Sequence, residues 1–162
     1  MTLAQEVFKI LQEQGLLLAT AESCTGGMIS ARMTDIAGSS KIFERGFVTY
    51  SNQAKIDLLS VSEKTLSQFG AVSSETAEEM VKGALDNSLA DLAIAVTGIA
   101  GPSGGSLEKP VGLVYIGIGR KHDAKIKVFK EQFSGDRASV RQQVCEKSFY
   151  YLLSFMKESP HG

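Results

Sequence analysis

Leu3, Val7, Ile10 and Leu11 recur at the spacing of one helical face, so residues 2–14 predict an amphipathic helix that Gly15 ends. Leu16-Leu17-Leu18-Ala19-Thr20 is a short apolar run after that turn, the pattern of a buried strand. Gly26-Gly27 then opens a helix from Met28 to Thr34, and 46–51 reads as a second strand. Asn52 is a suitable N-cap for a short helix containing Lys55, Ile56, Leu58 and Leu59. Ser62 starts another helix that reaches Phe69 and stops at Gly70. Ser73 or Ser74 caps a longer helix ending near Asn87, with Glu75, Glu78 and Glu79 in its first turns, where the helix dipole favours negative charge. Leu92 to Thr97 is again a continuous apolar strand, followed by a glycine-rich loop from Gly98 to Ser106. Val111–Gly119 and Lys125–Phe133 read as a hairpin, and Asp136 to Lys157 as a last helix with a stripe of Val140, Val144, Tyr151, Leu152 and Phe155. This order predicts one α/β domain over 1–162, a three-layer α/β/α sandwich around a mixed, mostly parallel sheet.

Composition narrows the class. The 162 residues carry 43% apolar and 22% charged side chains, close to globular averages and against disorder. Seventeen Lys and Arg against eighteen Asp and Glu leave a formal charge of −1, without the basic footprint of a general nucleic-acid binder. Cys24 and Cys145 lie far apart and make neither a metal-spacing pattern nor a disulfide framework. No signal peptide or membrane span is legible, so the expected setting is the reducing cytoplasm, with no membrane and no nucleic acid as partner. The chain has two histidines: His122 in a polar turn and His161 next to the C-terminus. A His-based metal site or a Ser-His-Asp triad is not expected from these, nor is a cofactor.

Ligands of open α/β sheets bind beyond the carboxyl ends of the strands. Three polar segments follow strands directly here: 22–27, 50–55 and 97–106. If their strands are parallel neighbours, the three loops converge on one cleft. Ser23 sits in a strand-to-helix turn whose N–H groups, at Gly26-Gly27, suit an anion or a developing oxyanion. The residues alone allow Ser23 or Thr25 to be a helix cap, or Ser23 to be a nucleophile. Cys24 is the rival nucleophile or a small core residue. With so little histidine, a buried lysine is the candidate base, because burial moves its pKa toward neutrality. Lys55 is placed for that, or is a solvated helix lysine, and Tyr50 could relay its proton or hold it by a hydrogen bond. The glycine-rich loop fits a phosphate cradle or a plain surface loop, and it matches neither a P-loop nor a dinucleotide fingerprint. Arg137 and Arg141 open the last helix, either to pair with Asp136 or to reach a phosphate.

Taken together, the motifs 21–27, 46–55, 70–73, 97–105, 109–112 and 135–137 resemble the CinA C-terminal domain family in the family's own order. The resemblance covers nearly the whole chain and implies a stand-alone form of that domain, without the N-terminal partner domain of longer CinA proteins. Where members of that family often carry His before the Gly-Ala-Val-Ser motif, this chain has Gln68-Phe69, a position expected to be structural. The family implies hydrolysis of the carboxamide of nicotinamide mononucleotide (NMN) to nicotinic acid mononucleotide and ammonia. It also implies a serine nucleophile and lysine base, carried here by Ser23 and Lys55 with Tyr50 in support, no metal, and a homo-oligomer. Thr25, Gly26, Gly27, Asn52, Thr97, Gly98, Gly101, Ser103, Gly104, Gly105 and Arg137 are then the expected substrate contacts. The alternative is a nucleotide-binding or regulatory module without turnover. DNA-associated action is suggested only by the family's competence-related name, and the charge gives it no support.

Overall fold

A computed structural model describes residues 1–158; His161 falls outside them. The elements are α1 (Leu3–Gln14), β1 (Leu18–Glu22), α2 (Met28–Thr34), β2 (Phe43–Val48), α3 (Asn52–Leu59), α4 (Glu63–Phe69), α5 (Ser74–Asp86), β3 (Leu92–Gly98), β4 (Leu113–Arg120), β5 (Ile126–Gln132) and α6 (Arg137–Glu158), with a 3-10 turn at Ser39–Lys41 that the sequence pattern did not suggest. Thr2 and Gln5 close a capping box at the start of α1, and Gly15 ends it in a left-handed conformation. Ser62 and Ser73 cap α4 and α5 as their sequence positions suggested.

One five-stranded sheet runs in the order β2-β1-β3-β4-β5. β1 pairs in parallel with β2 and β3, while β3–β4 and β4–β5 are antiparallel. The expected mixed α/β sheet is therefore present, but "mostly parallel" describes only the strand directions. The pairings divide evenly, because β3, β4 and β5 form a meander.

The two faces of the sheet carry different side chains. Leu18 of β1, Leu92, Ile94 and Val96 of β3, and Val114, Ile116 and Ile118 of β4 pack against α1, α2 and α6. The opposite face presents Ala21, Ala93 and Ala95 to α3 and α5. Gly117 and Gly119 belong to that second face, where an added Cβ would lie 2.7 Å and 2.6 Å from Val81 side-chain atoms. Small residues thus let α5 settle close to the sheet, while large ones fill the other layer. The result is the expected three-layer arrangement.

Several boundaries differ from the sequence reading for identifiable reasons. β1 starts at Leu18 rather than Leu16, because Leu17 is paired with Asp91 instead: its N–H donates to the Asp91 carboxylate (2.8 Å) and its carbonyl accepts from the Asp91 N–H (2.8 Å). β2 covers Phe43–Val48, not 46–51, because its register against β1 ends at Glu22↔Val48 and the chain then turns into α3. Ser51, not Asn52, caps α3 by accepting from the Ala54 N–H at 3.0 Å. β1, β2 and β3 end side by side, which brings residues 23, 49–50 and 97–100 to one edge. β1 lies between β2 and β3, so the chain reverses its direction of travel across the sheet there.

Candidate active site

Ser23 follows β1 directly, and its N–H is fixed by the Val96 carbonyl of β3 at 3.1 Å. Beyond it the chain must turn sharply into α2, which Gly26 (φ 59°) and Gly27 (φ 105°) achieve in left-handed conformations. Gly27 is the N-cap of α2 and has no side chain to cap with. The free N–H groups of the first turn go elsewhere: those of Ile29 (2.8 Å) and Ser30 (3.0 Å) donate to the Glu22 carboxylate. The Gly26 N–H donates back to the Ser23 carbonyl at 3.1 Å. The expected anion site at Gly26-Gly27 is thus partly filled by the protein's own groups. From α6, Arg141 reaches the same turn, its Nε donating to the Cys24 carbonyl (3.1 Å) and a terminal nitrogen to the Thr25 carbonyl (3.0 Å).

Lys55 lies in the first turn of α3 and is only 1% exposed. Its Nζ donates to Ser23 Oγ at 2.9 Å, to the Thr49 carbonyl at 2.8 Å and to the Tyr50 carbonyl at 3.3 Å. The pair is 32 residues apart in sequence; the parallel β1–β2 pairing sets Glu22 opposite Val48 and leaves both loops adjacent. Burial lowers the Lys55 pKa from 10.5 to about 8. Burial pushes the neighbouring Cys24 thiol the other way, up to about 11, which leaves it protonated and a poor nucleophile near neutral pH.

Ser23, Cys24, Tyr50, Lys55, Ala71, Val72, Thr97, Gly98, Ala100 and Arg137 line a cavity of about 200 Å³. Of the residues singled out in the sequence, this gathers Ser23, Cys24, Lys55, Tyr50, Thr97, Gly98 and Arg137. Tyr50 supports the lysine by its main-chain carbonyl; its side chain is 61% exposed, and its hydroxyl accepts from Arg137 at 3.1 Å rather than meeting the amine. Arg137 also donates to the Gly101 carbonyl at 2.7 Å, so it bridges two walls of the mouth. Asp136 is not its partner, because that carboxylate accepts from the Ser139 N–H at 2.8 Å and starts α6. Thr25 is buried beneath the turn, donating to Glu22 at 2.6 Å. Gly26, Gly27, Asn52, Gly101, Ser103, Gly104 and Gly105 do not line the cavity, and Asn52 is exposed.

Four residues contribute to the site in ways that the sequence did not indicate. Ala71 and Val72 form a wall because the Thr97 hydroxyl donates to the Ala71 carbonyl at 2.7 Å and fixes the α4–α5 junction against β3. Glu22 organises the turn; its signal was a lone acidic residue ending an otherwise uncharged strand. Arg141 was noted only as a possible phosphate ligand or partner of Asp136. Among the described residues, no group of three or more His, Cys, Asp or Glu side chains is placed to hold a metal ion. No helix among them is long and apolar enough to cross a membrane.

Comparison with known proteins places the chain in a family. A nicotinamide-nucleotide amidohydrolase PncC of Enterobacter agglomerans is 55% identical over 141 residues, covering 87% of this chain and 85% of that protein. The crystal structure of the competence/damage inducible protein CihA from Agrobacterium tumefaciens superposes with a TM-score of 0.91 at 44% identity, over 94% of this chain and 92% of that one. Other relatives are longer: a CinA-like protein of Chlorobium limicola is 46% identical over 160 residues, 97% of this chain but 37% of its own length. This chain likewise spans 34% to 38% of the length of the other long relatives it matches. The sequence profile of the CinA C-terminal domain matches residues 1–156, and with it the motifs, the sheet and the Ser23 cavity fall into one description: the chain belongs to the CinA C-terminal domain family.

Proposed function

We propose that this chain is an amidohydrolase that deamidates NMN to nicotinic acid mononucleotide and ammonia, with Ser23 as nucleophile and Lys55 as base. The observation that carries the reading is the 2.9 Å contact between Lys55 Nζ and Ser23 Oγ at the floor of the cavity. A neutral Lys55 keeps two N–H bonds, to the Thr49 and Tyr50 carbonyls, and turns its lone pair to the serine hydroxyl. With a pKa of about 8, roughly one molecule in ten holds that neutral form at pH 7. The amidohydrolase name of a relative 55% identical over most of both chains supports the substrate class.

The steps balance with water alone. Lys55 takes the Ser23 proton as Oγ attacks the carboxamide carbon. The tetrahedral intermediate collapses with that proton passing to the leaving nitrogen, which departs as ammonia and leaves an acyl ester on Ser23. Water, deprotonated by Lys55, attacks the ester, and the proton returns to Oγ as the carboxylate is released. The main-chain N–H of Cys24, a residue that lines the cavity, is the donor proposed for the oxyanion. A cavity of about 200 Å³ suits the carboxamide-bearing ring, with the ribose and phosphate outside it. Arg137, already spanning Gly101 and Tyr50, is the proposed phosphate contact there.

We place the enzyme in the cytoplasm as a homo-oligomer, for which the exposed Val48 and Tyr50 offer apolar surface. The decisive experiment is ammonia release from NMN, with nicotinamide and glutamine as comparison substrates. Ser23→Ala is expected to lose at least about 10³-fold in kcat, and Cys24→Ala to keep most of it. Saturable NMN binding without product would mark a binding module instead, and loss on Cys24→Ala alone would remove the serine.

A further inference from the structure

Glu22 is fully buried, and none of the ion pairs among the described residues involves it. A buried carboxylate without a cation is costly unless hydrogen bonds satisfy its oxygens. Here they do. One oxygen accepts from Thr25 Oγ1 (2.6 Å) and the Ile29 N–H (2.8 Å), the other from the Ser30 N–H (3.0 Å) and Ser30 Oγ (2.6 Å). These donors belong to the turn and to the first residues of α2, while the Glu22 main chain belongs to β1 and accepts from the Thr49 N–H at 2.9 Å. One residue therefore ties three pieces together: the strand before Ser23, the helix after it, and the β2 end whose Thr49 carbonyl holds Lys55.

An ordinary Ser, Thr or Asp cap at residue 27 would satisfy the first turn locally. The tight turn needs glycine there, so the helix is capped from the strand instead. That choice makes the helix start, and with it the path of residues 23–27, depend on the Glu22 carboxylate. Ser30 is itself confined, because a Cβ on Gly46 would come within 2.5 Å of its Oγ.

We infer that Glu22 is a positioning residue: its carboxylate sets the turn so that the Ser23 hydroxyl meets the Lys55 amine. The inference rests on Ser23 and Lys55 acting as proposed above. Glu22→Gln keeps the length and one acceptor oxygen but presents an NH₂ group to the Ser30 N–H. The turn should shift while the sheet stays intact. The expected result is a 10- to 100-fold fall in the single-turnover rate with enzyme in excess over NMN, the scale of a misplacement of about 1 Å, with KM changed less than about threefold. Ser30→Ala removes a single donor and should show the same kind of loss, about 3- to 10-fold, should Glu22→Gln fail to fold. A merely structural role would lower the fraction of active molecules and leave the single-turnover rate at the wild-type value, which would overturn the inference. If wild-type protein does not turn over NMN, the functional reading has failed, and crystal structures of the two variants decide the positioning role alone. Ser23 Oγ moved away from Lys55 Nζ supports it; the 2.9 Å contact retained in both refutes it.

Discussion

The proposed chemistry of the site turns on one amine. Lys55 has three acceptors, two of them main-chain carbonyls, which favour the ammonium, but its near-complete burial outweighs them and lowers its pKa. A pKa of about 8 predicts that kcat/KM for NMN rises about tenfold per pH unit below that value and levels above it. Ammonia release measured from pH 6 to 10 checks this; a profile flat through pH 8 would sink the base assignment. Lys55→Arg keeps the charge but cannot accept a proton, so it should lose at least about 10³-fold at every pH. The sequence made Lys55 a candidate by elimination, since histidine was scarce. It could not reveal that Tyr50 would serve through its carbonyl, because a residue's main-chain direction at a strand end depends on how the next helix is capped. Ser51 rather than Asn52 takes that cap, and the one-residue difference is within what local propensity resolves.

At the scale of elements, the Ser23 turn is held from both sides of the chain. Glu22 ties it to β1 from within, and α6 holds it from outside through Arg141, whose donors meet the carbonyls of Cys24 and Thr25 at 3.1 Å and 3.0 Å. These are charge-assisted bonds to partly buried acceptors, worth on the order of 1.5–3 kcal/mol together with the cost of leaving the carbonyls unpaired. Arg141→Ala should therefore lower kcat by about tenfold or more and the melting temperature by a few degrees. Arg141→Lys, with a single compact donor group, should recover only part of either. A kcat equal to wild type in Arg141→Ala would show that the turn does not need α6. Helix positions were legible because amphipathic spacing and caps are local: Ser62, Ser73 and Gly15 mark their helices without help from the fold. The tie between α6 and the turn spans 116 or 117 residues and has no local signature, so the sequence offered Arg141 only Asp136 or a phosphate as partner.

At the scale of the molecule, the sheet order explains why so distant segments share a cavity, and also what the cavity costs. The apolar runs at β1 and β3 announced buried central strands, yet their neighbour relation and the even split of the pairings came only from long-range register. The layers built on that sheet must keep Lys55 out of water. Its ordinary pKa of 10.5 applies in the unfolded chain and about 8 in the folded one, so between these values the unfolded chain binds more protons and folding stability rises with pH. Below about pH 8 the penalty is present in full, on the order of 3 kcal/mol; above about 10.5 it vanishes. Lys55→Met has similar volume and no such titration. Urea unfolding of both proteins across pH 7 to 10.5 should show the variant's relative stability declining by a few kcal/mol as pH rises, with the other titrating groups cancelling in the difference. The unpaired Thr49 and Tyr50 carbonyls in the variant lower its stability by a constant amount and leave that slope untouched. Parallel curves for the two proteins would mean that the folded state does not penalise the ammonium, and that Lys55 enters the reaction charged at neutral pH.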